Sequence, residues 1–196
     1  PYTTLFRSVG DRLCVEAADG ATFDGFTIAH GYTLSSAPSG GGMYIRSGSP
    51  RVTNCVFTRN VNGAFGAMTI RGGSPVVTSC TFTQNTGANN AAGGLYIGSA
   101  SPTITSCVFS GNTAYAGGGI YLKSTSATLS SCTFSGNSAS GYGAGACVDS
   151  PGTLLMTNCA FTNNFASGNG AGVQCISATS PTLTSCIFPF NTALGI

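Results

Sequence analysis

SPTITSCVFSGN, residues 101–112, is one copy of a unit that recurs along the chain. The copies occupy residues 49–60, 74–85, 101–112, 126–137, 153–164 and 180–191. Each copy carries a central Cys, a Phe two residues later and a closing Asn. Neighbouring copies lie 25 or 27 residues apart. A repeat of this length is typical of a solenoid, in which stacked coils supply each other's core.

Three positions are shared by all six copies. The central cysteines are Cys55, Cys80, Cys107, Cys132, Cys159 and Cys186. The phenylalanines are Phe57, Phe82, Phe109, Phe134, Phe161 and Phe188. The asparagines are Asn60, Asn85, Asn112, Asn137, Asn164 and Asn191. We predict that stacking turns these positions into structural ladders: two buried apolar columns and a column of amides that bond from coil to coil.

Apolar and polar residues alternate within the unit, which indicates strands. Val52, Cys55 and Phe57 are predicted to point inward, and the break between Val52 and Cys55 indicates a bend. An apolar triplet follows each Gly-rich turn, at 43–45, 68–70, 95–97, 120–122, 146–148 and 173–175. The sequence therefore predicts an all-β, single-stranded, right-handed parallel β-helix, a solenoid of about seven coils of 25–29 residues with three short strands per coil.

The beginning of the chain is less regular. A diverged coil starts near Gly20, and residues 13–15 are predicted to be the closing triplet of a further coil. Residues 1–8 fit no periodicity, and two interpretations stay open: a non-native translated sequencing adapter, or a native capping strand. We expect residues 9–196 to form one β-helix domain, and the chain to be a fragment of a longer protein.

The units resemble the right-handed β-helix repeats of the pectin-lyase-like superfamily. The Phe-x-x-Asn pairs, from Phe57 and Asn60 to Phe188 and Asn191, are followed by Gly-Gly-x-apolar segments. This arrangement resembles the repeats of polymorphic outer-membrane proteins and related bacterial surface proteins. The resemblance implies an extracellular or cell-surface location, and contact with polysaccharide or with a host or cell surface.

Charged residues make up only 6% of the chain, and the net charge is +2. The bases are few and scattered, so no nucleic-acid partner is predicted. No run of residues approaches the ~20 apolar residues of a transmembrane segment, so none is predicted either.

The nine cysteines invite a disulfide interpretation in an extracellular chain. However, Phe26 fills the same slot in the diverged coil, as expected for an apolar core position. Parallel side chains would also hold neighbouring Cβ atoms ~4.8 Å apart, beyond the usual ~3.5–4.5 Å of a disulfide. Buried thiols are therefore favoured over disulfides, and neither a metal site nor a cofactor is predicted.

Carboxylates are nearly absent from the regular coils. Four of the five acidic residues precede them: Asp11, Glu16, Asp19 and Asp24. Asp149 alone follows, whereas a typical glycosidase needs two carboxylates around the scissile bond. Asp19 and Asp24 could meet near one turn, and His30 is the single histidine. Turn capping for the acids and a structural role for His30 are the favoured interpretations.

Arg46, Arg71 and Lys123 follow their triplets at equivalent positions. They are predicted to form a loose basic column on one edge of the solenoid. Contact with an acidic glycan is the functional interpretation of this column. Solvated charges that keep the sheet soluble are the favoured alternative.

The favoured hypothesis is a non-catalytic, secreted or cell-surface segment that serves as rigid stalk, adhesin or glycan-contact surface. The alternative is a carbohydrate-active enzyme, a polysaccharide lyase or glycoside hydrolase, whose catalytic residues lie in the first coils or outside this sequence. A third hypothesis is an ice-binding protein, because the outward positions beside the phenylalanines are mostly Thr, Ser and Val. Exposed coil ends could also support self-association.

Overall fold

The computed structural model describes residues 5–6, 14–33, 40–63, 65–87, 92–149, 152–176 and 180–195. These residues form four seven-stranded sheets, in which each strand pairs in parallel with its equivalents in the neighbouring coils. The predicted parallel β-helix is therefore confirmed, and seven strands per sheet agree with about seven coils.

Two sheets are formed by the repeated unit itself. The proline sheet, named after the Ser-Pro that starts four of the units, comprises Thr22–Asp24, Arg51–Thr53, Val76–Thr78, Thr103–Thr105, Thr128–Ser130, Leu155–Thr157 and Thr182–Thr184. The Phe sheet comprises Leu5–Phe6, Thr27–Ala29, Val56–Thr58, Thr81–Thr83, Val108–Ser110, Thr133–Ser135 and Ala160–Thr162.

The other two sheets follow the ladder asparagines. The post-Asn sheet comprises Tyr32–Thr33, Val61–Asn62, Thr86–Gly87, Thr113–Ala116, Ser138–Tyr142, Phe165–Ala166 and Thr192–Ala193. The triplet sheet comprises Val15–Ala17, Met43–Ile45, Met68–Ile70, Leu95–Gly98, Ile120–Lys123, Ala146–Asp149 and Val173–Ile176.

The post-Asn sheet is a fourth strand per coil, which corrects the prediction of three. Most of its strands are only two residues long, such as Val61–Asn62 and Thr86–Gly87. Two residues are too few to show an alternation of apolar and polar side chains. Pairing with the coils above and below, rather than local sequence, defines these strands.

The first triplet lies two residues later than predicted. Val15 pairs with Met43 and Ala17 pairs with Ile45, so the strand is Val15–Ala17 rather than residues 13–15. Leu13 itself lies outside the described residues. The observed register places the small apolar Ala17 against the core and leaves the carboxylate of Glu16 exposed.

The phenylalanines of the repeat form one stack through the core. Successive rings from Phe57 to Phe188 have centroids 4.6–4.9 Å apart and planes within 3–7° of parallel. The rings from Phe57 to Phe161 are fully buried. Burying one Phe side chain contributes about 1.5–3 kcal/mol by area, so the stack is a major source of stability.

The predicted asparagine ladder is confirmed. The Nδ2 of Asn85 donates to the carbonyl of Phe57 in the preceding coil and to Oδ1 of Asn112 in the following one, both at 2.9 Å. The backbone N–H of Asn85 donates to the same Oδ1 at 3.1 Å. This pattern repeats at Asn112 and Asn137, so each buried amide has partners for both of its N–H groups and for its oxygen.

Candidate glycan-contact surface

The three predicted basic residues lie at equivalent positions, at or just after the ends of strands in the triplet sheet, on one edge of the rod. Arg46 and Arg71 come directly after paired strand ends, and Lys123 pairs with Gly98 and Asp149. Two of these cations have a carboxylate nearby. Arg46 Nε lies 3.5 Å from Glu16 Oε1, and Lys123 Nζ lies 3.9 Å from Asp149 Oδ2. The Arg46 pair is well exposed, so it stabilises the fold little.

Arg71 is held by aromatic rings. The centre of its guanidinium lies 4.3 Å from the centroid of Phe65 and 4.9 Å from that of Tyr96. Its Nε is buried and has no hydrogen-bond partner among the described residues. A cation over an aromatic face is attracted by the negative charge density of the ring, which accounts for this position. Arg71 was predicted as a charge on one edge of the solenoid, and its contact with these rings was not predicted.

A cleft of about 290 Å³ lies on this flank of the rod. We call it the tyrosine cleft; it is lined by Phe65, Tyr96, Tyr115, Ala116, Tyr121, Lys123 and Tyr142. The rings of Tyr96 and Tyr121 stack in parallel, with centroids 5.8 Å apart. The ring of Phe65 packs edge-on against Tyr96, with centroids 4.6 Å apart. The cleft thus joins aromatic faces, phenolic hydroxyls and one ammonium group.

Two elements place these rings side by side. Tyr96 and Tyr121 occupy the outward position of the triplet sheet in consecutive coils. Tyr115 and Tyr142 come from the post-Asn sheet, and their rings meet edge to face with centroids 5.5 Å apart. Ala116, at the end of the Tyr115 strand, completes the lining.

The backbone is irregular where the cleft forms. Ala114 pairs with Ala139 but Ala116 pairs with Tyr142, so the strand of Tyr142 has an extra residue there. Among the described strand pairs, this is the one register shift. Gly141 lies within the shift, and a Cβ at Gly141 would come 3.0 Å from the ring of Tyr115. Bulges of this kind redirect side chains, and this one brings Tyr142 to the cleft.

Hydrogen bonds fix the polar side of the cleft. The hydroxyl of Tyr121 donates to Asp149 Oδ2 at 2.8 Å. Burial and this bond to a carboxylate raise the pKa of Tyr121 above its usual range. Burial also raises the pKa of Tyr96, although the charge of Arg71 opposes the shift. Burial and the neighbouring Tyr115 raise the pKa of Tyr142. These hydroxyls are therefore protonated at neutral pH and can donate hydrogen bonds.

The acids near the start of the chain form turn contacts. Asp19 Oδ1 accepts the backbone N–H of Ser49 at 2.8 Å, and Asp24 Oδ1 accepts Asn54 Nδ2 at 2.9 Å. Both bonds join one coil to the next, as turn-capping carboxylates do. The side chains have separate partners in separate turns. Asp11 lies outside the described residues.

His30 occupies a turn position that every described coil contains. The residue before each ladder asparagine, or before Gly31 in the first coil, has φ between 54° and 61°: His30, Arg59, Gln84, Gly111, Gly136, Asn163 and Phe190. The variety of side chains shows that the backbone conformation, rather than the chemistry of any one residue, is what the turn requires. His30 thus has a structural position, exposed at the edge of the rod.

The cysteine column lies between the proline and Phe sheets. Cys55, Cys80, Cys107, Cys132 and Cys159 are buried, and Cys186 is partly buried. The thiol of Cys80 lies 3.3 Å from the carbonyl of Thr78 and 3.4 Å from that of Val52 in the preceding coil. Hydrogen bonding to neighbouring thiols and burial raise the pKa of Cys107. Protonated thiols that donate to carbonyls are structural groups, inert toward nucleophilic chemistry.

Outward hydroxyls cover the proline and Phe sheets. They bond partly to each other: Thr105 Oγ1 and Ser130 Oγ are 3.1 Å apart, as are Ser110 Oγ and Thr83 Oγ1. Val108 interrupts the array with an exposed apolar side chain. This surface contains the Thr and Ser columns behind the ice-binding hypothesis, but its hydroxyls are not uniformly free to face water.

The aromatic residues of the cleft were not predicted from the sequence. Tyr96 and Tyr121 were visible as the middle residues of apolar triplets, and an aromatic residue in an outward position is a usable signal. Tyr115 and Tyr142 offered none, because they lie in post-Asn strands, which the sequence pattern does not predict. Phe65 forms only an isolated bridge outside the regular strands.

The chain belongs to the family of right-handed β-helix proteins. The family described as "Right handed beta helix region" matches residues 4–144 and again residues 80–196, which together span nearly all of the sequence. The pectin-lyase-like resemblance is consistent with this family. No curated protein and no solved structure matches the chain. Among the described residues we find no helix with the length and hydropathy of a membrane span.

Proposed function

We propose that this chain is a non-catalytic segment of a secreted or cell-surface protein, a stalk or adhesin that presents a glycan-contact surface on a rigid rod. One observation carries the proposal. The side chains that recur in each coil are buried inside the rod and are explained by packing. Aromatic and basic side chains that the repeat does not require lie together on one flank.

The inner columns support the mechanical part of the proposal. Phenylalanine rings stack without interruption, and the asparagine amides bond from each coil to the next. Each coil is thereby fixed to its neighbours by apolar packing, amide bonds and four parallel sheets. Such a solenoid keeps a surface at a defined distance and orientation, which a stalk or adhesin requires.

The flank supports the glycan part of the proposal. Sugar rings present an apolar C–H face and hydroxyls around their rim. Tyrosine rings offer an apolar face with a polar edge, and buried Tyr hydroxyls need hydrogen-bond partners. The tyrosine cleft has both, and binding sites are commonly apolar concavities with a few polar groups.

The alternative of a carbohydrate-active enzyme is favoured by one cluster, formed by Tyr121, Asp149 and Lys123 in the cleft. A lyase needs a base whose pKa lies near the working pH. Burial and the hydrogen bond to Asp149 raise the pKa of Tyr121, and so move it further from neutral pH. A glycosidase of the usual kind needs a second carboxylate, and Asp149 is the single acidic residue after Asp24. The cluster therefore fits binding better than turnover.

Affinity electrophoresis and co-sedimentation test the proposal. The purified chain is assayed with pectate, alginate and a neutral polysaccharide such as xylan, and the same mixtures are followed for new reducing ends and unsaturated products. We expect retention on at least one polysaccharide without product formation. Turnover that disappears on Tyr121→Phe, Asp149→Asn, Asp19→Asn, Asp24→Asn or His30→Ala would establish the enzyme alternative, and absence of binding to every glycan would refute the proposed function.

The ice-binding hypothesis has its own assay. Thermal hysteresis and ice recrystallisation are measured at high protein concentration. We expect no effect, because the hydroxyl array bonds partly to itself and Val108 interrupts it. Clear hysteresis that is lost on Thr81→Val, a substitution in the column beside the phenylalanines, would overturn the glycan proposal in favour of an ice-binding surface.

A further inference from the structure

We infer that the tyrosine cleft is a subsite for one acidic pyranose, a sugar residue with a ring carboxylate, held with the carboxylate near Lys123 and the ring against Tyr115. This inference rests on the proposed function and deepens it by naming the site and the class of sugar.

The size of the cleft limits its ligand. Pockets for drug-sized molecules occupy about 300–1,000 Å³. The tyrosine cleft, at about 290 Å³, lies at the lower end of that range. It therefore suits one sugar ring with its substituents rather than several consecutive residues of a chain. A longer glycan would place one residue in the cleft and leave its neighbours on the open flank.

The charges around the cleft favour an anion. Lys123 lies in the lining, and Arg71 is held against two of the lining rings. Asp149 is the one carboxylate beside them and lies near Lys123. Two cations and one anion leave an excess positive charge. Aromatic cages can also bind quaternary ammonium ions. Here Arg71 already occupies the faces of Phe65 and Tyr96 and would repel a second cation.

The exposed ring of Tyr115 offers the stacking surface. Its side chain is 44% exposed, whereas Tyr96 is buried and Tyr121 is partly covered. Tyr142 packs against Tyr115 edge to face, and the Tyr115 ring still keeps a large exposed area. The hydroxyl of Tyr121 is already engaged with Asp149. The ring of Tyr115 and the ammonium of Lys123 are therefore the groups that a sugar would contact first.

The backbone is specialised at this place. The strands Thr113–Ala116 and Ser138–Tyr142 have four and five residues, while the other post-Asn strands have two. The register shift and Gly141 lie between these two strands. Packing of the core does not require either feature, because the other coils stack without them. Bulges are common beside binding sites, where they redirect side chains.

Nuclear magnetic resonance titration tests the inference with matched ligands. The probes are the methyl glycosides of glucuronic and galacturonic acid, each compared with its neutral parent, methyl glucoside or methyl galactoside. Each pair differs only in the carboxylate. We expect millimolar binding of at least one acidic probe, with saturation transfer to its C–H face. We also expect at least threefold weaker binding of its neutral parent, and a preference that declines as salt is added.

Variants locate the binding. Tyr115→Ala is expected to weaken binding of the acidic probe about tenfold, and Tyr115→Phe to leave it within about threefold, because the ring is retained. The double variant Lys123→Met with Asp149→Asn keeps the net charge, and Arg71 remains, but it removes the ammonium that the ligand carboxylate would contact, and should remove most of the preference for the acidic probe. Tyr32→Ala is the matched control, since Tyr32 is an exposed tyrosine of the same sheet, three coils and about 14 Å away. Circular dichroism melting verifies that each variant folds.

The outcomes separate this inference from the proposed function. Polysaccharide binding that survives Tyr115→Ala and the double variant, or equal affinity for acidic and neutral probes, would overturn the acidic-sugar subsite and leave a glycan-contact role on another surface. Absence of binding to every polysaccharide and probe would refute both. Weakening by Tyr32→Ala equal to that of Tyr115→Ala would also overturn the assignment to the cleft.

Discussion

The interior of the rod and the tyrosine cleft follow opposite rules. Inside, the same residue types recur in each coil, and ring spacings vary by only a few tenths of an ångström, from 4.6 to 4.9 Å. At the cleft, the residue type changes between paired positions, as where Lys123 pairs with Asp149 and Ala116 pairs with Tyr142, and the strand register shifts. The interior repeats because the buried side chains of each coil must pack against those of the next coil. The cleft lies on the outside of the rod, where packing between coils does not determine the side chains.

This difference gives a criterion for repeat proteins. A side chain that recurs in every coil is explained by stacking, and it carries no separate functional information. Some polar or aromatic side chains depart from the repeat and lie where the backbone is locally altered. Stacking does not explain these side chains, so they are candidates for a functional role. The difference can be tested by substituting residues of both kinds in one chain.

The largest effect is expected inside the core. Phe109→Ala removes a fully buried ring between Phe82 and Phe134, at 4.8 and 4.7 Å, and should lower the free energy of unfolding by about 3–5 kcal/mol. Urea unfolding followed by circular dichroism measures it. Phe109→Leu, which fills part of the space, should cost clearly less. If Tyr115→Ala on the flank destabilised the fold as much as Phe109→Ala, the distinction between the two regions would fail.

The second effect concerns the ladder. Asn112→Leu deprives the Phe82 carbonyl, Asn137 Oδ1 and the two N–H groups of Asn85 of a partner. Buried unsatisfied groups cost about 1–3 kcal/mol each, and with relaxation we expect a loss of roughly 2–4 kcal/mol. The control is Asn163→Gln, at an exposed turn position where another coil has Gln84. Equal melting temperatures for the two variants would contradict a stabilising role for the ladder.

A smaller, pH-dependent effect is expected at the cleft. The folded pKa of Tyr121 is raised above its usual value of 10, so the protonated hydroxyl stabilises the fold fully below pH 10, and this contribution is lost as pH rises further. Tyr121→Phe should cost at most about 1.5 kcal/mol at neutral pH, as expected for one partly exposed bond to a charged group, and should flatten the alkaline decline in stability.

The measurement for Tyr121 is urea unfolding at neutral pH and at several values above pH 10, together with the absorbance of tyrosinate. Asp149→Asn removes the charge that Tyr121 faces and should flatten the decline in the same direction. An alkaline decline that is identical in the parent and in Tyr121→Phe would exclude this tyrosine as its source.

The smallest effect is expected at the turn before the ladder. Gly136 has φ +60°, and a Cβ there would meet no atom within 4 Å. Gly136→Asn should change the free energy of unfolding by less than about 0.5 kcal/mol or raise it slightly, because Asn tolerates this conformation and restricts the unfolded chain. Gly119→Ala is the contrasting variant, since its Cβ would collide with the Gly145 carbonyl and the ring of Phe134. Thermal melting of both variants would show a clear loss for Gly119→Ala alone.

Much of the fold could be predicted because the repeat gives the same information several times. One Phe-x-x-Asn segment would be ambiguous, but six aligned segments predict the phenylalanine stack and the asparagine ladder. The prediction was wrong for the post-Asn strands, most of which are too short to show alternation, and for the first triplet, where the information is not repeated. The first triplet was placed two residues early, because the sequence of one short strand does not show how it aligns with its neighbour. The pairing of Val15–Ala17 with Met43–Ile45 sets that alignment.

The cleft could be predicted only in part. Lys123 and Arg71 were expected on one edge of the rod, because they follow equivalent triplets. Their surroundings depend on the path of the post-Asn strands, where pairing between coils rather than local sequence defines the structure. Neither the stacking of Arg71 on Phe65 nor the approach of Tyr142 is encoded within a few residues of sequence.

The asparagine ladder has a consequence for how such a protein changes in length. Each coil offers an amide oxygen to the coil before it and an amide N–H to the coil after it, and the direction is the same from Asn60 to Asn164. Any coil can therefore follow any other, whether the spacing is 25 or 27 residues. Duplication or loss of a whole coil creates no new kind of interface, whereas one residue inserted into a strand would misalign the column. The gene can thus lengthen or shorten the rod in whole-coil steps, in the way that a polymer grows by its monomer.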